Sequence, residues 1–239
     1  MSRQGLSTLA IDIGGTHVKA SVLDAKGAMS AAPVRVDTGA DRAPKRILQE
    51  IVGLAAQLPR FDRISVGFPG YVRDGVVHTA PNLGTAAWAG FRLDQALTRR
   101  LKKPARVLND ADVQGLGVID RRGLECVLTL GTGIGSSLFE NGRLLPHLEL
   151  GQHPFRSGKT YDQYLGDAAL KKIGRRRWNR RLKRVIATVD IFINYDTLHL
   201  GGGNAMRIDF ELPPRVKIAD NSGGITGGIR LWDVIFNKT

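Results

Sequence analysis

Residues 8–24, TLAIDIGGTHVKASVLD, read as a buried strand, a glycine turn and a returning strand. β-branched and apolar residues flank Gly14 and Gly15 on both sides, which is the composition of paired strands. Residues 125–142, ECVLTLGTGIGSSLFENG, repeat the design: an apolar strand, a glycine-rich turn, a second strand and a short polar turn. Setting Ile11-Asp12-Ile13-Gly14 over Leu128-Thr129-Leu130-Gly131 aligns the two hairpins at one fixed offset. Weak internal repetition of this kind suggests two related halves.

The spacing of apolar residues fills in each half. An amphipathic helix is predicted over 43–57, a strand over 62–67 (DRISVG), a second helix over 93–102 and a strand over 105–110 (ARVLND). Alternation of strands and helices predicts an α/β sheet in each half. From Tyr161 the pattern turns helical. Trp178, Leu182, Val185, Ile186, Val189 and Ile193 fall at i, i+4, i+7, i+8, i+11 and i+15, one face of a helix. A strand, DTLHL, then ends in Gly201-Gly202-Gly203, and NSGGITGGIRLWDVIF closes the chain with a glycine-rich turn and a last helix. No linker-like or low-complexity segment divides the halves. The expected organisation is an N-terminal α/β domain over 1–108, completed by a C-terminal helix over about 225–239, and a C-terminal α/β domain over 109–224, sharing an interdomain cleft.

Composition narrows the chemistry. A length of 239 residues with 42% hydrophobic residues can bury a real core. The formal net charge of +13 favours anionic partners without naming one. Cys126 is the single cysteine, so no internal disulfide forms and a cysteine-cluster zinc site is excluded. No apolar run reaches transmembrane length and MSRQGLST lacks the apolar core of a signal peptide, so no membrane partner is expected and a cytoplasmic protein is the default.

Three motifs carry chemistry. In Asp12-Ile13-Gly14-Gly15-Thr16, bare backbone lets amide groups approach phosphate oxygens, Thr16 adds a hydroxyl, Asp12 could hold Mg²⁺, and Lys19 adds positive charge nearby. A hairpin needing glycine for its turn alone is the other reading. No Gly-Lys-Ser/Thr follows, so it is not a Walker A loop. Gly131-Thr132-Gly133-Ile134-Gly135 is the second glycine turn, and a strand rather than a helix follows it, against a dinucleotide-binding fingerprint. Two such turns at equivalent places in two halves mean more than either alone. The third motif, Asn109-Asp110-Ala111-Asp112, stands where a strand ends, the place where α/β sheets collect ligands. A carboxylate there could deprotonate a hydroxyl nucleophile, and a helix N-cap is the competing reading.

Together these stretches resemble the ROK family of sugar kinases, within the actin and hexokinase superfamily, and most closely its polyphosphate glucokinase branch. LAIDIGGTHVKASVLD, SVGFPGYVRDGVVHTAPNLG, VLNDADVQGLG, LTLGTGIGSSLFENGRLLPHLELG, LHLGGGNA and NSGGITGG carry the resemblance in family order over nearly the whole chain. It implies a duplicated actin-like, RNase H-like α/β fold. It implies Mg²⁺-dependent phosphorylation of the 6-hydroxyl of glucose or a related hexose, with ATP, inorganic polyphosphate or both as donor. Asp110 would be the general base and Asn109 a sugar ligand, with Glu149, Gly67 and Asn82 also at the sugar. Asp12, Gly14, Gly15 and Thr16 would form one phosphate loop, Gly131, Thr132, Gly133 and Gly135 the other, and Gly201, Gly202 and Gly203 would flank a nucleotide. The family also suggests a homodimer.

Two departures stand out. The family reads Glu-x-Gly-His where this chain has Glu149-Leu150-Gly151-Gln152, followed by His153. Either Gln152 fills the histidine slot, the preferred reading, or a local shift lets His153 serve. The cysteine-rich zinc motif of many ROK proteins is missing, as it is from the polyphosphate branch. Asp162 is the nearby candidate for a second sugar-binding carboxylate. A ROK regulator would carry a helix-turn-helix before the first glycine loop, where this sequence has eleven residues, so no specific nucleic acid is expected. A sugar-binding pseudoenzyme is the remaining alternative. Residues 171–184, KKIGRRRWNRRLKR, hold nine basic side chains in fourteen positions. Gly174 is expected to separate two helices, with Trp178 a core anchor. Arg176, Arg177 and Arg180 are either a solvated helix end or a rail for a polyanion.

Overall fold

The computed structural model of the chain describes residues 5–220 and 223–233. Two compact units are present, Met1–Gly117 with Ser222–Thr239, and Val118–Asn221. The division falls after Gly117, later than the 108/109 boundary expected from the sequence, because the helix that follows residue 109 packs within the first unit.

In the first unit, β1 (Thr8–Ile13), β2 (His17–Leu23), β3 (Val34–Asp37) and β4 (Arg63–Phe68) are followed by a small hairpin of β5 (Val72–Arg73) and β6 (Val76–Val77), then by β7 (Ala105–Asn109). The main sheet runs β3-β2-β1-β4-β7. β1 pairs antiparallel with β2 and parallel with β4, and β4 pairs parallel with β7. The unit has four helices, α1 (Pro44–Ala55), α2 (Thr85–Trp88), α3 (Leu93–Leu101) and α4 (Asp110–Val118), of which α1 and α3 fall at the predicted places. Pro44 opens α1, where its missing N–H costs nothing, and Ile47, Leu48, Ile51, Leu54 and Ala55 form the buried stripe. The short α2 was not legible in the sequence. Asp110 starts α4 and does not end the strand, because Asn109 caps the helix one residue earlier.

The second unit repeats the plan. β8 (Leu124–Leu130), β9 (Ile134–Glu140) and β10 (Arg143–Leu144) precede a hairpin of β11 (Pro154–Arg156) and β12 (Lys159–Thr160), then β13 (Thr197–Gly201) and β14 (Val216–Ile218). The sheet order is β10-β9-β8-β13-β14. Register confirms the duplication inferred from the hairpins. Asp12 sits opposite Gly67 on the parallel side of β1, and its equivalent Thr129 sits opposite Gly201 on the parallel side of β8. Both long hairpins therefore end at the same height of their sheets.

The helices α5 (Tyr161–Leu165), α6 (Asp167–Ile173) and α7 (Arg175–Ile193) cover this second sheet. Gly174 separates α6 from α7 with φ 75°, a left-handed value that favours glycine. On α7, Trp178, Leu182, Val185, Ile186 and Val189 are buried as the periodicity predicted, and Ile193 packs at the edge of the same core. Trp178 is fully buried, and its indole N–H donates to the Leu165 carbonyl at 2.7 Å. Trp178→Phe keeps a large ring but leaves that carbonyl without its donor. It is expected to lower unfolding stability by about 1–3 kcal/mol, read by urea denaturation of the two proteins.

The closing glycines have a packing cause. A Cβ on Gly117 would meet Gly223 at 3.0 Å, one on Gly227 would overlap the Val113 carbonyl of α4, and one on Gly228 would meet Ala10 at 3.0 Å. Gly227 and Gly228 are glycine because side chains there would run into α4 and β1. Where the sequence predicts a helix over about 225–239, the described residues form a short α-helix, Gly223–Thr226, followed by a 3-10 helix, Gly227–Trp232, and residues 234–239 lie outside the described residues.

Candidate active site

The first unit gathers its polar motifs at the carboxyl ends of β1, β4 and β7. The glycine turn after β1 is held from one side. Gly14 N–H donates to the His17 carbonyl at 2.8 Å, and buried Thr38 takes two carbonyls of the turn, with its hydroxyl on Gly14 O at 2.9 Å and its N–H on Thr16 O at 2.8 Å. The amides of Gly15 and Thr16 have no protein acceptor among the described residues. A loop that keeps adjacent amide donors spare is polarised for an anion. Asp12 lies below it, half-buried and directly across the hairpin from Lys19. Its carboxylate has no hydrogen-bond partner among the described residues. Burial pushes its pKa above the ordinary carboxylate value, and Lys19 partly offsets this. A hard carboxylate oxygen of this kind fits Mg²⁺.

Asp110 lies beside Asp12's neighbour on the sheet. A Cβ on Gly67 would stand 3.3 Å from the Asp110 Cα, so this strand position needs glycine to let the head of α4 approach. The Asn109 carbonyl oxygen of its side chain accepts from the N–H groups of Ala111 at 2.8 Å and Asp112 at 3.3 Å, and its amide donates to Gly70 O at 3.1 Å. The helix-cap reading therefore holds for Asn109, and Asp110, the first residue of α4, has its Oδ1 on the Ala111 N–H at 2.8 Å. Asn82 reaches the same place from its own loop: a Cβ on Gly15 would meet the Asn82 Cβ at 3.3 Å, and Arg42 fixes the Asn82 carbonyl with a 2.7 Å bond.

The second unit builds the matching turn after β8. Gly131 O accepts from Asp167 N–H at 2.9 Å and Asn204 Nδ2 at 3.3 Å, and Gly133 O accepts from Gly131 N–H at 3.0 Å. The amides of Thr132 and Gly133 have no acceptor among the described residues, as at Gly15 and Thr16. Gly131 and Gly203 both have open space where a Cβ would stand, and the Asn204 bond holds their two turns together. Gly202, at φ 82°, is required instead by the Leu130 backbone pressed against it, and Gly135 lies in β9 with its N–H on Thr129 Oγ1 at 3.1 Å.

Asp162 explains the rest of this loop. Its carboxylate accepts from Ile134 N–H at 2.6 Å and from Gln152 Nε2 at 2.7 Å. A Cβ on Gly133 would meet it at 2.7 Å, and one on Gly151 would overlap it. Asp162 thus ties the glycine turn to the Leu150–Gln152 turn, and Gly133 is glycine because of that carboxylate. Burial raises its pKa, Glu149 nearby raises it further, and the two hydrogen bonds oppose the rise. Glu149 and Gln152 are therefore brought together with Asp162. His153 is not: it is exposed, beside Tyr161 at a ring separation of 6.3 Å. The imidazole that does meet this cluster is one the motif reading passed over, His147, with Nε2 3.1 Å from Glu149 Oε1. His-x-Glu spacing was its only sequence signal.

The arginine-rich stretch sorts itself by partner. Arg175 donates to Arg207 O at 2.8 Å, Arg181 to Tyr164 O at 2.8 Å and Arg184 to the Tyr164 hydroxyl at 2.9 Å. Arg176, Arg177 and Arg180 are exposed with no partner among the described residues. A separate buried pair, Glu125 with His199 at 2.8 Å, lies near Asp120. Glu125 also accepts the N–H groups of Asp120 and Arg122, and Lys217 takes Asp120 at 2.6 Å, so this cluster anchors the start of β8.

One five-stranded sheet repeated in the same order, each with a donor-rich glycine turn at the end of its first strand, defines the actin-like ATPase fold. Comparison with known proteins agrees. The ROK family pattern matches residues 8–149. Polyphosphate glucokinase of Mycobacterium leprae is 30% identical over 91% of this chain and 72% of its own length, and that of Mycobacterium tuberculosis 29% over 91% and 88%. Inorganic polyphosphate/ATP-glucomannokinase from Arthrobacter sp. strain KM superposes with a TM-score of 0.85 at 29% identity, over 94% of this chain and 97% of its own. A ROK glucokinase from Streptomyces griseus shares the fold at 18% identity and a TM-score of 0.79, over 94% and 98% of the two chains. The chain belongs to the ROK family, and it is a kinase.

Proposed function

We propose that this protein transfers a phosphoryl group from polyphosphate or ATP to the 6-hydroxyl of glucose or a closely related hexose. The observation that carries the reading is the pair of turns with spare amides, Gly15–Thr16 and Thr132–Gly133, at equivalent heights of two sheets. Phosphoryl transfer needs alignment and charge stabilisation more than covalent help, and amide donors of this kind supply both. Asp110 takes the hydroxyl proton as general base. The same reading gives Asn109, Gly67, Asn82, Glu149, Gln152 and Asp162 the role of sugar ligands. Asp12 would hold Mg²⁺, which neutralises charge on the phosphates when bound. The relatives named above support the hexose and both donors. Purified protein with Mg²⁺, glucose and either donor should form glucose 6-phosphate in a coupled dehydrogenase assay. No product with ATP or with long-chain polyphosphate overturns the reading.

The donor preference rests on α7. Its first turn abuts the Gly203–Arg207 turn through Arg175, next to Gly201–Gly203, so Arg176, Arg177 and Arg180, exposed and without a partner among the described residues, lie on the element that continues away from that turn. A polyphosphate chain repeats its charge along its length and gains from such a rail, whereas ATP does not reach it. Reversing all three to glutamate should raise the KM for long polyphosphate roughly tenfold at low salt, with the effect shrinking as salt screens it. The KM for ATP should stay within about twofold, the scale of an exposed charge pair. Equal effects on both donors would leave α7 as a solvated helix end.

A further inference from the structure

We propose that His147 is a positioning residue for the hexose, holding the Glu149 carboxylate in the orientation that receives sugar hydroxyls. This inference rests on the hexose-kinase reading above and adds to it a residue that the family motif does not contain.

The geometry is local to the second unit. Buried Ser136 on β9 donates its hydroxyl to the Leu148 carbonyl at 2.6 Å, pinning the backbone between the two side chains. Leu145 N–H is fixed on Leu138 O at 2.9 Å just before it. The carbonyl between His147 and Glu149 is thereby held in place. His147 is consequently delivered onto Glu149, Nε2 to Oε1 at 3.1 Å, with the imidazole side chain 8% exposed and the carboxylate 35% exposed.

Chemistry then fixes the roles. A carboxylate only accepts when ionised, so the imidazole nitrogen facing it must carry the proton, and Nε2 donates. One Glu149 oxygen is thereby occupied. The other, Oε2, has no donor among the described residues and remains to accept a hydroxyl. The alternatives near the motif are committed elsewhere. Gln152 spends its amide on Asp162 at 2.7 Å, and His153 stands exposed beside Tyr161. Without His147 the Glu149 side chain loses its only hydrogen-bonding anchor among the described residues and regains rotamer freedom that sugar binding must then remove.

The test is a comparison of His147→Ala and His147→Gln with the parent protein in saturating Mg²⁺, varying glucose and donor separately. Loss of a charge-assisted hydrogen bond should raise the glucose KM about tenfold in His147→Ala. The donor KM should not change, and the glutamine amide of His147→Gln should recover most of the loss. A general structural role would raise both KM values together and lower the melting midpoint, and that pattern overturns the proposal, as does an unchanged glucose KM. Glucose binding by titration calorimetry separates the two levels of inference. If the parent protein binds glucose but makes no sugar phosphate, the kinase reading fails, and a roughly tenfold weaker Kd in His147→Ala still supports His147 while an equal Kd overturns it. A parent protein that neither binds glucose nor turns it over overturns both.

Discussion

Asp110→Asn is expected to lower kcat for glucose phosphorylation by on the order of 10²–10⁴-fold, the contribution of a positioned general base. The substitution is nearly isosteric at a helix start where Asn109 accepts the Ala111 and Asp112 N–H groups and Asp110 Oδ1 shares the Ala111 N–H at 2.8 Å, a bond the asparagine oxygen still accepts. Gly67 leaves just enough room for the α4 backbone, and asparagine asks for no more. The melting midpoint should accordingly stay near that of the parent, and glucose binding by calorimetry should persist. Since the base acts in the transition state, kcat and kcat/KM should fall together. An Asp110→Asn protein that turns over at the parental rate removes Asp110 from the chemistry.

Asp12→Asn should separate activity from stability. Its carboxylate is half-buried without a hydrogen-bonding partner among the described residues, and burial raises its pKa despite Lys19. For an acid whose folded pKa lies above its unfolded value, the folded state binds the proton more tightly. Stability is then fully present below the unfolded pKa and is lost as pH rises through the folded one. At neutral pH the ionised carboxylate therefore costs stability in metal-free buffer, and asparagine removes that cost. The melting midpoint of Asp12→Asn in chelator should be higher than the parent's at neutral pH and lose less between acid and neutral pH. Turnover should drop about 10²-fold or more, because an electrostatic contact at the transferring phosphates is worth several kcal/mol. A variant that is both less stable at neutral pH and fully active contradicts each part. The pairing of a destabilising carboxylate with a functional position is the usual trade of stability for activity.

Much of the fold was legible because it is locally encoded. The two hairpins, α1 and the buried face of α7 follow from periodicity, and the offset of the two glycine turns pointed to the duplication that the register of Asp12 on Gly67 and Thr129 on Gly201 bears out. Motif spacing brought Asp12, Asp110 and both turns into view, and the family resemblance added Glu149. It could not apportion roles within a motif. Asn109 and Asp110 are both polar and adjacent, and only the α4 backbone shows which of them caps it. Gly131 and Gly133 look alike in the string, yet one faces open space and the other the Asp162 carboxylate.

Sequence alone determined the duplicated α/β plan and its two glycine turns, since each depends on residues within a turn or two of one another. Tertiary structure alone decided three other matters. It showed that Gly227 and Gly228 are glycine because α4 and β1 lie against them. It showed that three of the arginines on α7 are spoken for while Arg176, Arg177 and Arg180 have no partner among the described residues. And it brought His147 to Glu149, which needs Ser136 on a neighbouring strand to hold the intervening carbonyl. Each depends on an atom supplied from elsewhere in the chain, and no local pattern records where such an atom will arrive.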